Sequence, residues 1–511
     1  MYSSSHKKIN AWFCLLVFIA IAALSPLAGC RTGFFNNEDS PSQTSSEAAA
    51  TTQTGPSTAT SAETPKSRAI PKPEGNIEVV YDDANVKADY IVSEQLRGFF
   101  VSGEYANFHS VDRECIKEHK DSIYCQNEYS MNLGSGDQKL LYSTSGDFME
   151  NVAYSDSRAF ILVEQKGNGQ KSTSLLAIDN RTGQEAWRQE VQGGRSLEFA
   201  GGTLFSFEEN GGAGSAGTFT AFDPQTGQVK WLLNHGGTLN REGVTGGTAY
   251  IVAGMSSSNY GPSAVYAVDV ANGNEKWKFS NGGYFTGYAV GNGMVFTAGT
   301  DKKPASSKET AIPVVHGVDA ATGQDKWAFT SVDATQPPQQ GVTEKLRIVG
   351  ATPDTVIVVR SVVHGGVRDD LFIGTVDESL YGIDAITGKQ KWVTDVIAGS
   401  TDPMAASYIL EDGIVYAARN NKTINWDQDI GCVEMGQDCP DGFPVQLDVR
   451  AIEGDLGSEV WKITTQELKS EVPNQLYLLT AAEGGLYLTD MPHQPSTTMG
   501  KSDMGFIFRL R

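Results

Sequence analysis

Positive charge is scarce in this chain of 511 residues: 40 Lys and Arg stand against 61 Asp and Glu, a formal net charge of -21. A nucleic-acid binder needs a Lys/Arg face to neutralise phosphates, and this balance argues against one. It argues equally against a polybasic grip on anionic lipid. Long apolar runs are missing beyond the first 30 residues, so no later segment approaches the ~20 residues of a membrane-spanning helix. Familiar catalytic signatures are missing as well. The seven His show no His-Glu-x-x-His spacing, and there is no Gly-x-Ser-x-Gly elbow and no phosphate loop. Gly212-Ala-Gly214-Ser-Ala-Gly217 spells a dinucleotide fingerprint but falls between two expected strands, with no helix N-terminus to hold a pyrophosphate. What the chain does have is 40% hydrophobic residues, enough for a core, and 55 Gly, well above the usual ~7%, which points to many tight turns.

The N-terminus reads as an address. His6, Lys7 and Lys8 precede an apolar run from Trp12 to Leu24, long enough for a signal-peptide core and short for a spanning helix. Leu27-Ala28-Gly29-Cys30 then resembles a bacterial lipobox. The resemblance implies removal of residues 1–29 and lipidation of Cys30, which would tether an extracytoplasmic chain to a membrane. Arg31 after the Cys favours the outer membrane of a two-membrane cell. The tether that follows suits a Gram-positive surface equally well. Residues 30–75 form that tether: from 36 onward they are rich in Ser, Thr, Ala, Pro and Glu, and cannot bury enough apolar surface to offset ordering entropy. Two close pairs remain among the six Cys, Cys115 with Cys125 and Cys432 with Cys439. In an exported chain they read as two disulfides, with cross-pairing open. Neither has the spacing of a zinc knuckle.

From residue 76 onward one domain is expected, with 76–124 an unassigned lead-in. A phrase recurs six times in it. A short apolar strand ends at an acidic residue, a Gly follows four positions later, and a Trp four after that: Asp179, Gly183, Trp187; Asp223, Gly227, Trp231; Asp269, Gly273, Trp277; Asp319, Gly323, Trp327; Asp384, Gly388, Trp392; and a degenerate copy with Glu453, Gly457, Trp461. Six of the eight Trp occupy this slot. The acidic side chain can accept from backbone N–H groups of the turn, and the Gly supplies the positive φ that closes a hairpin bulge. A second phrase, a turn pair before an apolar strand, precedes each hairpin: Gly201-Gly202, Gly246-Gly247, Asn292-Gly293 and Asp412-Gly413 are examples. The period of 44 to 69 residues and four short strands is that of a propeller blade.

Seven such inner hairpins against six outer ones leave the last blade, whose third strand is expected at Gly505 to Leu510, short of its outer strand. Residues 133–142, with Tyr142 in the Trp slot, are expected to supply it and so close the ring with strands from both ends of the chain. That gives an all-β propeller of seven four-stranded blades. An eighth, built from residues 77–108, is the alternative.

The phrases resemble the repeat of pyrroloquinoline-quinone (PQQ) type β-propellers. The resemblance extends over roughly residues 125–511. It implies that the Trp packs between blades and that the Gly serves the turn. The family includes quinoprotein dehydrogenases and cofactor-free scaffolds such as the BamB lipoproteins of outer-membrane assembly. A bound quinone implies calcium, an Asp base and commonly two adjacent Cys, and this chain has no adjacent Cys. Asp427, Asp429 and Glu434 are weak calcium candidates on spacing that fails an EF-hand. The expectation is therefore a non-catalytic monomer that binds envelope proteins and no nucleic acid. PQQ-dependent oxidation and solute or sugar binding remain the alternatives.

Overall fold

A computed structural model describes residues 77–510, apart from 83–99, 112–125, 209–216, 254–262, 302–311, 332–341, 421–442, 493–505 and shorter loops. Every described element is a strand. They assemble into eight four-stranded antiparallel sheets and one two-stranded ribbon, Phe443–Val445 with Leu468–Ser470. Each four-stranded sheet is a blade made of strands that follow one another in the chain, except blade 7, which passes over the ribbon strand Phe443–Val445, and the last.

Blade 1 consists of Phe100–Ser102, Tyr105–Val111, Gln126–Asn132 and Gln138–Ser143. Blade 2 runs from Phe148–Tyr154 to Glu185–Val191, blade 3 from Ser196–Ala200 to Val229–Leu233, and blade 4 from Val244–Thr245 to Glu275–Phe279. Blade 5 runs from Phe285–Gly291 to Asp325–Phe329, blade 6 from Val342–Ala351 to Gln390–Ser400, and blade 7 from Ser407–Glu411 to Glu459–Thr464. Blade 8 takes Asn474–Ala482, Gly485–Pro492 and Phe506–Leu510, and its outer strand is Ile77–Asp82.

The ring is thus closed by strands from both ends of the chain, as expected, but by a different strand. Ile77 pairs with Leu510 and Val79 with Phe508. Gln138–Ser143, expected in that place, completes blade 1 instead, and the lead-in 76–124 supplies the rest of that blade and the closing strand. The blade count is eight, the higher of the two expected. Tyr142 does hold the Trp slot: it lies opposite Glu128 just before a register shift, as Trp187 lies opposite Ala177.

The repeated phrase makes the seams between blades. Gly183 N–H donates to the Asp179 carbonyl at 2.8 Å, the Asp179 carboxylate accepts from Thr182 N–H at 2.7 Å, and the same turn recurs through Gly227, Gly273, Gly323 and Gly388. Each of these Gly has φ between +69° and +76°. At this position a side chain would also strike the ring of the preceding blade's Trp: a Cβ on Gly227 would sit 2.6 Å from Trp187, and one on Gly457 2.4 Å from Trp392. The indole N–H completes the seam. It donates to the carbonyl one residue past the acidic position of the next blade: Trp187 to Pro224 (3.0 Å), Trp231 to Val270 (2.7 Å), Trp277 to Ala320 (3.0 Å), Trp327 to Ala385 (3.2 Å) and Trp392 to Gly454 (3.1 Å). Trp461 packs in a core cluster with Leu486 of blade 8. Between seams the inner faces are filled by buried Phe, Val, Ile and Leu, such as Phe205, Phe219 and Ile251 between blades 3 and 4.

Candidate functional site

The acidic residues of the phrase are turn caps. Asp179, Asp223, Asp269 and Asp384 are held below the usual carboxylate range chiefly by backbone N–H groups, from Thr182, Gln225, Ala271 and Thr387. Asp319 is lowered chiefly by the Thr322 hydroxyl. With the Trp and Gly engaged across the seams, the repeat residues have structural partners.

One cavity departs from the repeat. It lies between blades 2 and 3, has a volume of about 390 Å³, and is lined by the Ser155–Arg158 turn, Phe199, Gly201, Pro224 and Gln225. Its origin is a local swap of residue types. In blades 3, 4 and 6 the second strand begins with Thr203, Thr248 or Thr355. Each hydroxyl accepts from the Lys before the Trp: Lys230 at 3.4 Å, Lys276 at 2.8 Å and Lys391 at 2.7 Å. In blade 2 the Lys position is Ala186 and the Thr position is Arg158. The longer Arg158 side chain crosses the seam, and its Nη1 donates to the Pro224 carbonyl at 2.7 Å. Pro224 therefore accepts two donors, Arg158 and Trp187. Behind them Phe160 and Phe199 stack at 5.6 Å. The result is a cleft with an aromatic wall, a guanidinium and a rim of Ser155, Asp156, Ser157 and Gln225. Such a surface can recognise a peptide; it holds no nucleophile–base pair. The swap lies in the sequence at Arg158 and Ala186, but it is a departure from the repeat and not one of its shared positions.

Cys30, the pairs Cys115/Cys125 and Cys432/Cys439, and Asp427, Asp429 and Glu434 all lie outside the described residues. Among the described residues no three His, Cys, Asp or Glu are grouped as a metal site of those ligands would need.

The profile of the PQQ_2 family, described as outer membrane protein assembly factor BamB, matches residues 142–284. No curated protein matches. Among solved structures, quinohemoprotein alcohol dehydrogenase ADHIIG from Pseudomonas putida HK5 is 13% identical over 86% of this chain and 77% of its own, with a TM-score of 0.44. The quinohemoprotein alcohol dehydrogenase of Comamonas testosteroni is 11% identical over 85% and 77%, also at 0.44. The WD40 domain of Toxoplasma gondii coronin is 10% identical over 71% and 80%, at 0.39. Likenesses this distant decide nothing about activity.

Proposed function

We propose that this chain, a PQQ-type repeat β-propeller, acts as a protein-binding scaffold of the cell envelope, held at a membrane through Cys30. The observation that carries the reading is the use of the repeat residues. Asp, Gly and Trp of successive blades are tied to each other, so they build a rigid ring, and recognition falls to the turns on its faces. Turn surfaces on a rigid frame are where propellers and similar scaffolds bind partners. The blade 2–3 cleft is a surface of this kind, and the family match over residues 142–284 spans it and suits an envelope role.

A photo-crosslinking residue at Gln225, in cells, tests the proposal. A discrete adduct with an envelope protein is expected, and it should be lost on Arg158→Glu. A diffuse pattern insensitive to Arg158 counts against the scaffold reading. PQQ-dependent oxidation is the second reading, favoured by the repeat type alone. Dye reduction by the purified chain after addition of PQQ and calcium would replace the scaffold reading with it.

A further inference from the structure

The guanidinium in the cleft between blades 2 and 3 is held in one orientation with its carboxylate-binding edge open. Nη1 of Arg158 donates to the Pro224 carbonyl at 2.7 Å and lies 3.5 Å from that of Gln225. Nε and Nη2 meet no acceptor among the described residues, yet neither atom is sealed from solvent. These two parallel donors form the edge that takes a carboxylate bidentately. The chain uses the same edge elsewhere. Nε and Nη2 of Arg188 donate to Glu185 at 3.3 and 2.7 Å, and those of Arg360 donate to Glu344 at 2.7 and 3.0 Å. At Arg158 no carboxylate of the described residues fills the place. Asp156, on the rim, is exposed to solvent, where its charge is screened.

An apolar surface adjoins this edge. Phe160 follows Arg158 by two positions on the strand Arg158–Gly167, so both side chains leave the same face about 7 Å apart. Phe199 stacks on Phe160 and completes the wall. A third departure from the repeat adds an acceptor. In blades 2, 4, 5, 6 and 7 the residue after the acidic cap donates its N–H to the second residue of the turn pair. The pairs are Asn180 to Ser157, Val270 to Gly247, Ala320 to Gly293, Ala385 to Asp354 and Gly454 to Gly413, at 2.8 to 3.1 Å. In blade 3 that residue is Pro224, which has no N–H. The Gly202 carbonyl, next to Gly201 of the cleft lining, therefore lacks the donor that its counterparts have.

We propose that this cleft captures the free C-terminus of a partner chain whose last residue is apolar. The α-carboxylate takes Nε and Nη2 of Arg158, and the last side chain packs on Phe199 and Phe160. Carboxylate and side chain of a terminal residue leave one Cα, so they lie a few ångströms apart, as the guanidinium and the wall do. The last N–H of such a chain is a donor of the kind the Gly202 carbonyl lacks. An internal Asp or Glu brings chain on both sides of its charge, and a cavity of about 390 Å³ suits a chain end better than a passing strand. The inference deepens the scaffold reading and rests on it, by naming what the cleft takes from the partner.

The test titrates short fluorescent peptides ending in Ala-Leu into the purified chain, with the last carboxyl free or amidated. The free acid should bind at least about tenfold more tightly than the amide. A third peptide, amidated and carrying an internal Asp just before the Leu, separates a side-chain carboxylate from a chain end and should bind like the amide. Arg158→Gln should bring acid and amide to the same affinity. The wild-type comparison stands without that variant. Equal binding of acid and amide by the wild type, binding of neither, or binding of the Asp peptide as tightly as the free acid overturns the proposal. So does a preference for the acid that survives Arg158→Gln. An adduct at Gln225 in cells combined with equal peptide binding sinks this inference and leaves the scaffold reading. A preference for the acid without any adduct sinks the scaffold reading and leaves the carboxylate site.

Discussion

Gly388→Ala offers a sharp test of how the seams are made, because the structure separates its two costs. Gly388 has φ of +69°, and an L-residue in that left-handed region costs ~1–2 kcal/mol. A Cβ there would also lie 2.5 Å from Trp327 Cδ2, well inside ordinary contact, so the indole must move by about 1 Å. Trp327 is held in place by its N–H bond to Ala385 and by Phe296 at 5.9 Å, so the shift meets packed neighbours. Overpacking of this kind adds ~1–3 kcal/mol. Gly413 is the matched control: its φ is +79°, and a Cβ there meets nothing within 4 Å. Gly413→Ala should therefore cost only the backbone part, ~1–2 kcal/mol, and Gly388→Ala ~2–5 kcal/mol. Urea unfolding followed by tryptophan fluorescence measures both. In a Trp327→Ala background the two Gly substitutions should cost the same, and the coupling in that cycle isolates the contact. Equal losses in the parent chain, or no coupling, would refute the claim that the Gly is required by its neighbour's indole as well as by its turn.

Four shorter expectations follow from the same geometry. Trp277→Ala empties a buried seam between blades 4 and 5 and should lower stability by ~3–5 kcal/mol in the same unfolding assay. Trp231→Phe should cost more than Trp277→Phe. The Ala320 carbonyl keeps the Tyr250 hydroxyl at 3.1 Å after the indole is lost, while Val270 loses the indole N–H that reaches it at 2.7 Å; the gap should be about 1 kcal/mol in a denaturant titration. Cysteines placed at Val79 and Phe508, in a chain lacking Cys115 and Cys125, should crosslink under mild oxidation, since the two positions are register partners. Cys30→Ser should move the protein out of the membrane fraction, and unchanged lipid labelling would exclude the lipobox.

The blade architecture was legible because its determinants are local. An acidic cap, a Gly at positive φ and a Trp at fixed spacing specify a hairpin wherever they occur, and their repetition specifies the stack. Asn292 and Asp412, the two described non-Gly residues with positive φ, both fall in the Asn-Gly and Asp-Gly turn pairs read from the sequence. The cleft was harder to see because it depends on departures from the repeat. Arg158 and Ala186 are unremarkable alone, and their meaning appears only against the Thr–Lys pairs of blades 3, 4 and 6.

Blade 1 shows where reading by repeat fails, and why. It carries no Trp and no Asp-to-Gly turn of the common spacing, so nothing local announces its hairpins. Its outer strand, Gln138–Ser143, has an aromatic in the right slot and was free to be matched to either the first or the last blade on pattern alone. The choice is made by chain connectivity and by Glu128. Tyr142 is smaller than Trp, so the residue opposite it need not be Ala or Gly, and a carboxyl fills the room that an indole would take. With Gln138–Ser143 committed to its own blade by pairing from Asn127–Ser143 to Met131–Gln138, the open edge of Phe506–Leu510 requires another strand. The first described segment with a free ladder is Ile77–Asp82, and it pairs there antiparallel across more than 400 positions of sequence. A pairing of that separation forms late and carries a large closure entropy. Closure should therefore be the last step of folding. A chain lacking residues 31–95 should then still assemble blades 2 to 7, while exposing the Phe506–Leu510 edge and aggregating. A chain lacking residues 31–75 should fold like the parent. If the longer deletion instead gives a stable monomer, Ile77–Asp82 is dispensable and the ring is held by blade packing alone.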